Sequence, residues 1–233
     1  MAAKKLYLIA CPTKTTLEFL KSKNIFDKNK LVLLEDPIFQ IREIVNLKKE
    51  KLDENFDKNF KYLLVIGRLT HQKNFSLLIK GFYEIKKIYK EYKLIIIGEG
   101  EEKIKLQKLI KQLQLNNDIF LLGFKKNIFN YINFADCLIS TALWEDPGFT
   151  LVEAGILNKL VISSDCLSGP VELFNKNNGY LFKSNSKEDL VKQFIEYKNT
   201  SLEGKRKKII ITKIKFKKYS LFNHFLKIKS FLL

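Results

Sequence analysis

The sequence predicts an α/β protein built on a doubly wound parallel sheet. Three short apolar runs, at residues 62–67, 93–98 and 119–123, each end in glycine, as buried parallel strands commonly do. Apolar residues between these runs recur at helical spacing. They are Phe75, Leu78, Ile79, Phe82 and Ile85 in the first interval, and Leu106, Leu109, Ile110 and Leu113 in the second. The alternation of strand and helix indicates βαβ units.

The same pattern continues toward the C-terminus. Further strands are predicted at residues 137–140, 160–163 and 180–182, followed by a helix at 187–197. We therefore assign residues 60–200 to a single doubly wound domain. In open sheets of this class, ligands bind beyond the carboxyl ends of the strands, so functional residues are expected in the loops that follow them.

The first 59 residues do not form the pattern of a complete domain. They contain an apolar run at 6–10, a helix pattern at 13–23 with Leu17 and Leu20 on one face, and a second apolar run at 31–35 that ends before Asp36. Residues 38–57 are charged and resemble a linker. We expect residues 1–59 to be a short strand–helix–strand unit joined to the main domain.

Composition favours a globular, cytoplasmic protein. The chain has 233 residues, 46% of them hydrophobic and 29% charged, which suffices for one large domain or two small ones. The three cysteines, Cys11, Cys137 and Cys166, have neither paired nor metal-like spacing, as expected in a reducing compartment. The run at residues 6–10 is shorter than a signal h-region of roughly 7 to 15 residues, and no stretch approaches the ~20 apolar residues that span a bilayer.

The formal net charge of +17 raises the question of a polyanionic partner. After Glu203 the sequence contains ten Lys or Arg residues and no Asp or Glu, interleaved with apolar residues. We therefore interpret residues 201–233 as a basic helical tail suited to an anionic membrane surface or to another domain. A lysine-rich composition throughout the chain explains the same charge equally well.

The segment at residues 140–155 contains two carboxylates placed for ligand binding. Glu145 lies in a polar turn and Glu153 lies eight residues later in a predicted helix. Gly148 allows close approach of the backbone, and free N–H groups at a helix start attract phosphate. Ionised glutamates accept hydrogen bonds, which suits sugar or ribose hydroxyls. Alternatively, Thr150 and Glu153 form a capping box and the turn acids have no ligand.

A basic pair follows the first strand of the main domain. Arg68 offers a planar fork that matches phosphate oxygens, and Lys73 adds a charge five residues later. Their place at the carboxyl end of a strand favours phosphate binding over the alternative, that both are solvated loop cations. The Gly98-Glu99-Gly100 segment is interpreted as a tight strand-to-helix turn, with contact to a ligand as the alternative.

Residues 67–74 together with residues 144–155 resemble the family 4, or group 1, glycosyltransferases, and the resemblance extends over residues 62–182. Glu145 and Glu153 fit the Glu-x7-Glu motif of that family, and Arg68 and Lys73 fit its phosphate-binding Arg/Lys pair. In the family a Gly-Phe pair more often follows the first glutamate directly. Here Asp146 and Pro147 intervene before Gly148.

The resemblance implies a GT-B fold, with residues 60–200 as its Rossmann-like, donor-binding C-terminal domain. It also implies a nucleotide-sugar substrate without a separate cofactor, and transfer with retention of anomeric configuration. Arg68 and Lys73 would neutralise the departing diphosphate, and Glu145 would hold the sugar. Glu153 would hold the ribose. The other implied donor contacts are Gly67, Gly123 in the base-binding stretch 122–124, Gly148, Phe149 and Thr150. Metal-independent chemistry is implied as well, and no Asp-x-Asp triplet occurs in the sequence.

The resemblance also bears on the first 59 residues. An Asp-Pro-Ile element such as residues 36–38 comes near the end of the family's N-terminal domain, so residues 1–59 are expected to be a remnant of that domain plus a linker. In the family, the N-terminal domain supplies the acceptor site and a catalytically important histidine. The expected acceptor is a saccharide or a lipid-linked molecule, and the expected setting is surface polysaccharide or lipopolysaccharide synthesis at the inner face of the cell membrane.

Two other functions fit the sequence. One is a nonenzymatic basic module that binds nucleic acid or anionic membrane through residues 201–233, and the other is an inactive fragment of a glycosyltransferase. The pair Glu145 and Glu153 argues against a nucleic-acid partner, because two carboxylates in the crevice would repel a polyanion.

Overall fold

The computed structural model describes residues 7–232, and its centre is a six-stranded parallel sheet. The strands lie in the order β5-β4-β3-β6-β7-β8. Their bounds are β3 Lys61–Ile66, β4 Tyr92–Ile97, β5 Ile119–Leu121, β6 Cys137–Ser140, β7 Leu160–Ser164 and β8 Tyr180–Phe182. The predicted doubly wound parallel sheet is confirmed.

Helices cover both faces of this sheet. Those of the main domain are α3 Phe75–Ile88, α4 Lys103–Gln112, α5 Phe129–Phe134, α6 Phe149–Ile156, α7 Gly169–Leu173 and α8 Lys187–Asn199. One hydrophobic cluster joins α3, α4 and α8 to one face of the strands, and a second joins α5, α6 and α7 to the other. Both faces of the central sheet are therefore covered by helices, which explains why its strands have nearly continuous apolar sequences.

The direction of winding reverses at β3. This strand pairs on one side with β4, where Leu63 is opposite Leu94, and on the other with β6, where Leu63 is opposite Cys137. The chain adds β4 and β5 on the first side and β6, β7 and β8 on the second. In open sheets a ligand crevice lies beyond the carboxyl ends of the strands at such a switch point, which here corresponds to the loops that follow β3 and β6.

The N-terminal segment forms a small unit of its own. Strands β1 (Ile9–Cys11) and β2 (Leu31–Leu33) pair in parallel, and helix α1 (Lys14–Lys23) connects them. Part of the predicted first strand, Leu6, lies outside the described residues. Helix α2 (Ile41–Leu47) occupies the stretch interpreted as linker. This helix was not predicted, because the sequence around it is charged and only one of its residues, Ile44, is buried.

The C-terminal residues form helices α9 (Leu202–Phe216) and α10 (Leu221–Leu232), joined by a short 3-10 turn. Helix α9 lies against α6, where Phe216 is buried and its ring packs edge-on against Phe174 at 5.5 Å. Beyond α9 the chain returns to the N-terminal segment, because the N–H of Ile38 donates to the carbonyl of Tyr219 at 2.8 Å. Among residues 7–232, no helix combines the length and apolar character needed to cross a bilayer.

Candidate functional site

The first wall of the crevice follows β3 and is held close to β4. A side chain at Gly98, whose φ is +143°, would overlap the carbonyl oxygen of Gly67, so only glycine fits this approach. The N–H of Leu69 also donates to the carbonyl of Glu99 at 2.9 Å. These contacts support the interpretation of residues 98–100 as a tight turn, and the Glu99 carboxylate pairs with Lys103 at 3.0 Å.

The predicted basic pair lies on this first loop, with its two members in different environments. Arg68 is exposed and forms no ion pair within the described part of the chain. Lys73 folds back, so that its Cε lies 3.3 Å from the position a Cβ would take on Gly67. The lysine stem therefore covers the end of β3 while the arginine head faces solvent. Both positive charges lie on the loop that follows β3.

The second wall follows β6, and it is bound to the first by an ion pair. The Nζ of Lys73 contacts the Oε2 of Glu145, and each side chain is largely shielded from solvent. One main-chain bond and one bond from a side-chain amide reinforce the contact. The N–H of Leu143 donates to the carbonyl of Gln72 at 2.8 Å, and the Gln72 amide donates to the carbonyl of Trp144 at 2.8 Å. The two loops that carry the candidate residues therefore form a single cross-linked unit.

Helix α6 begins beside Glu145. Its N-cap is Gly148 at φ +93°, a left-handed conformation that glycine adopts readily. Phe149 is exposed at the first helical position and Thr150 is half-buried at the second. The Asp146-Pro147 peptide bond before the helix is cis. The first N–H groups of α6 thus open next to the Lys73–Glu145 pair, in the position where a helix start attracts an anion.

Glu153 does not serve as a cap. The capping-box alternative is wrong, because the N-cap is Gly148 rather than Thr150 and no side chain caps this helix start. The Oε2 atom of Glu153 is buried and has no hydrogen-bond partner among residues 7–232. Burial raises the pKa of this carboxyl group from its ordinary value to about 7. A buried, unpartnered carboxylate oxygen is costly, and a ligand hydroxyl is one group that would relieve that cost.

Gly123 lies at the end of the sheet strand β5, with φ +70°, and its carbonyl accepts from the N–H of Gly98 at 2.8 Å. Gly123 therefore lies at the same carboxyl edge of the sheet as Gly67. The N–H of Gly67 donates to the carbonyl of Ile97 in β4 at 3.0 Å. The structure pairs Lys73 with Glu145 and places the Lys73 stem beside Gly67. Gly123 is joined to this edge through Gly98.

Residues 168–172 support the crevice loops and were not predicted from the sequence. The N–H of Gly169 donates to the carbonyl of Glu145 at 2.8 Å, so this loop supports the first glutamate. Ser168 has a φ of +78°, and its hydroxyl lies 3.1 Å from the Thr13 hydroxyl. A Ser-Gly-Pro sequence at 168–170 signals a turn, but it does not reveal which loop the turn supports.

The N-terminal segment also borders the crevice. The Glu172 carboxylate accepts from the N–H groups of Lys14 at 3.0 Å and Thr15 at 2.7 Å, at the start of α1. The Thr16 hydroxyl donates to Asp146 at 2.6 Å, within the turn that follows Glu145. A carboxylate at a helix N-terminus is favourable because it satisfies free N–H groups and meets the positive end of the helix dipole. The first unit therefore contacts the loops that carry the candidate residues.

Comparison with known proteins identifies the class of this fold and crevice. The family model for glycosyl transferases group 1 matches residues 47–216. An uncharacterized glycosyltransferase of Methanocaldococcus jannaschii is 37% identical over 171 residues, covering 71% of this chain and 41% of the relative. The chain belongs to the group 1 glycosyltransferases, as the resemblance predicted.

Two further similarities place the chain within the class. The N-acetylgalactosamine-N,N'-diacetylbacillosaminyl-diphospho-undecaprenol 4-alpha-N-acetylgalactosaminyltransferase of Campylobacter jejuni is 31% identical over 167 residues, covering 72% of this chain and 44% of that enzyme. The structure of HepE from Anabaena in complex with UDP-glucose superposes with a TM-score of 0.79 at 17% identity, covering 99% of this chain and 65% of that one. The fold is thus that of GT-B glycosyltransferases, while the chain spans less than half the length of the two curated relatives.

Proposed function

We propose that this chain binds a nucleotide sugar in the crevice between the β3 and β6 loops and contributes to transfer of the sugar with retention of anomeric configuration. The observation that carries the proposal is the pairing of Lys73 with Glu145 at the switch point of the sheet. There a cation suited to phosphate and a carboxylate suited to hydroxyl groups are held side by side.

The diphosphate is assigned to the basic pair and the start of α6. Arg68 is exposed and without an ion-pair partner in residues 7–232, so its guanidinium is free to form a bidentate contact with phosphate oxygens. Lys73 adds a second positive charge, and the N–H groups that follow Gly148 add dipolar donors. As the bond to the sugar breaks, negative charge grows on the leaving diphosphate, and donors fixed in advance stabilise it.

The hydroxyl groups are assigned to the two glutamates. Glu145 lies beside the phosphate-binding lysine and would accept from the transferred sugar. Glu153, one turn into α6, would accept from the ribose with its unpartnered oxygen. The backbone near Gly123 would contact the base, and Gly67, Phe149 and Thr150 would complete the walls of the donor site. No separate cofactor is proposed.

The acceptor and the pathway are proposed from the relatives. The Campylobacter jejuni relative is named for a reaction with a diphospho-undecaprenol. A saccharide or lipid-linked acceptor and a role in surface polysaccharide or lipopolysaccharide synthesis, in the cytoplasm and at the inner face of the membrane, are therefore the proposed setting. Nucleic acid is not a proposed partner, because the two carboxylates assigned to the donor site, Glu145 and Glu153, would repel a polyanion.

Calorimetric titration of the chain with UDP, GDP and inorganic pyrophosphate tests the donor assignment. A nucleoside diphosphate should bind, and pyrophosphate should bind at least about tenfold more weakly, because only the nucleotide reaches Glu153 and the base contacts. The matching nucleotide sugar should compete for the same site. Equal affinity for pyrophosphate and for every nucleotide would reduce the crevice to a plain anion site and defeat the proposal.

A further inference from the structure

Helix α10 is attached to the protein by polar side chains and presents apolar ones outward. The Nδ1 of His224 lies 2.7 Å from the carbonyl oxygen of Glu35, and the Nζ of Lys227 lies 2.6 Å from the Glu35 carboxylate. Phe222 and Phe225 are 68% and 60% exposed. A surface helix ordinarily does the reverse, with its apolar stripe against the core. The outward face of α10 is therefore available for contact with something outside the described residues.

Helix α2 supplies the other wall of a groove against this face. Ile41 is 62% exposed, and Val45 is exposed beside it. The floor between the helices is made by Phe39 and by Leu157 at the end of α6, both buried. The groove has a volume of about 940 Å³. Contiguous apolar surface of this kind marks an interaction site, whereas apolar residues scattered singly do not.

The rim of the groove is positively charged. Arg42 and Lys48 line it from α2, and Lys213 and Lys217 line it from the end of α9 and the turn that follows. Among the described residues that line the groove, none is Asp or Glu. An apolar floor with a purely cationic rim matches a bilayer surface, which offers anionic headgroups above an apolar interior.

We propose that the α2–α10 groove docks on an anionic lipid bilayer, with Phe222, Phe225 and Ile41 inserted at the level of the headgroups and the rim cations contacting lipid phosphates. This assignment goes beyond donor binding in the crevice. It also locates membrane contact differently from the expectation for the basic tail as a whole. Helix α9 packs on α6 through Phe216, and its exposed Ile210 and Ile214 do not line the groove, whereas Phe222 and Phe225 of α10 do.

Charge disfavours a second copy as the occupant. A symmetric dimer through this groove would bring the same patch of both subunits together, so Lys213 and Lys217 of each would lie near the cationic rim of the other. Like charges so placed are repulsive, and no lining acid is available to neutralise them. An anionic membrane removes that cost, because each cation near such a surface is attracted to it.

Vesicle flotation tests the proposal with the complete 233-residue chain. The chain is mixed with vesicles of phosphatidylcholine alone, or of phosphatidylcholine with about one third phosphatidylglycerol, and bound protein is measured over a range of salt. We expect binding to the anionic vesicles that weakens as salt is raised. The Phe222→Ser/Phe225→Ser variant should reduce the partition coefficient at least about tenfold, because two apolar anchors are lost.

Matched controls separate the groove from general properties of the chain. Phe19→Ser/Ile104→Ser removes two other exposed apolar side chains, on α1 and α4, and should bind as the parent chain does. Lys213→Glu/Lys217→Glu should weaken binding to anionic vesicles. By contrast, Arg206→Glu/Lys207→Glu, which reverses two exposed charges elsewhere on α9, should have a smaller effect. All the substituted side chains are exposed, and a thermal melt verifies that each variant is folded.

Three results would overturn the assignment. Binding that is equal for neutral and anionic vesicles would remove the charge argument. Binding that the groove variants and the control variants reduce equally would place the contact elsewhere. Sedimentation that reveals a dimer in the absence of lipid, dissociated by Phe222→Ser/Phe225→Ser, would make the groove an interface between copies of the chain.

Discussion

Lys73 and Glu145, 72 residues apart in the sequence, form an ion pair that joins the two loops of the crevice. In the proposed function each gives up part of this pairing to meet a ligand, since Lys73 is assigned to phosphate and Glu145 to sugar hydroxyls. Without ligand the pair neutralises both charges in a shielded place. In that proposal ligand binding is an exchange of partners, and disruption of the pair has consequences that can be measured.

Glu145→Gln should release Lys73 from this exchange. We expect the variant to bind a nucleoside diphosphate as tightly as the parent chain or several-fold more tightly, because no carboxylate competes with phosphate for the lysine. The additional affinity that the sugar moiety confers should be lost. The unliganded variant should also melt at a lower temperature, since a shielded lysine is left without its partner, and nucleoside diphosphate should restore much of that loss.

Calorimetry with a nucleotide sugar and the corresponding diphosphate measures these effects. Asp118→Asn is the matched control. It disrupts the Lys86–Asp118 ion pair, whose side chains are 18% and 21% exposed, against 19% and 15% in the crevice pair. Asp118 lies before β5, at the opposite end of the strands, so it should affect stability and leave nucleotide affinity alone. Weaker diphosphate binding in Glu145→Gln would contradict the exchange.

Arg68→Ala and Lys73→Ala should both weaken nucleoside diphosphate binding, with different effects on stability. Each lost charge-assisted hydrogen bond is worth roughly 1.5 to 3 kcal/mol of binding free energy. Arg68 is exposed and unpaired in the described residues, so its removal should leave the melting temperature unchanged. Removal of Lys73 leaves Glu145 unpaired and should lower the melting temperature. Lys80→Ala, an exposed cation on α3, serves as the control, and unchanged affinity in both crevice variants would remove the phosphate assignment.

Glu153 makes stability depend on pH with a definite sign. Burial raises the pKa of this carboxyl group from 4.5 to about 7 in the folded chain. Between these values the folded chain retains a proton that the unfolded chain releases, so the free energy of unfolding contributed by this group falls as pH rises. Glu153→Gln should flatten the decline in melting temperature between pH 5 and pH 8. Glu101→Gln, an exposed carboxylate, should leave the profile unchanged, and an unaltered profile in Glu153→Gln would refute the assigned burial effect.

The sequence allowed prediction of the sheet more fully than of the crevice. All six central strands were predicted because each is a continuous apolar run, and the Glu145 to Glu153 spacing was visible directly. The partner of Lys73 was not predictable, because it depends on how two distant loops meet. The role of Glu153 within its helix depended on which residue begins α6, and Thr150 offered a plausible but incorrect start. Local patterns identify elements, whereas a site forms from the contacts between them.

Glu153 should also distinguish ribose from deoxyribose. If its unpartnered oxygen accepts from ribose, Glu153→Gln should weaken binding of ribonucleotides clearly, by roughly 1.5 to 3 kcal/mol, since the bond is charge-assisted. Deoxy analogues lack one of the donors, so the same substitution should affect them much less. Titration of parent and variant with both ligand types completes a double-mutant comparison. Equal losses for ribonucleotide and deoxy analogue would exclude the ribose contact.

The 233-residue chain should bind a nucleotide sugar and transfer the sugar slowly. It spans 41% and 44% of the two curated relatives, and the family's acceptor site and a catalytically important histidine are implied to belong to the N-terminal domain. The sequence contains two histidines. His224 lies on α10, and its ring is held against the Glu35 carbonyl. The ring of His71 lies 6.2 Å from the ring of Trp144, on the rim of the crevice.

Closure of two domains over a donor supplies positioning and excludes water, and such effects lower a barrier by several kcal/mol. An assay of this chain alone, and then with a separately made N-terminal half of the Methanocaldococcus jannaschii relative, measures what closure adds. Nucleotide-sugar binding should be present in both assays, and robust transfer should appear only with the added half. The start of α1 contacts Asp146 and Glu172, so this part of the N-terminal segment borders the crevice. Efficient transfer by the chain alone would mean that the N-terminal segment and the main domain suffice for catalysis.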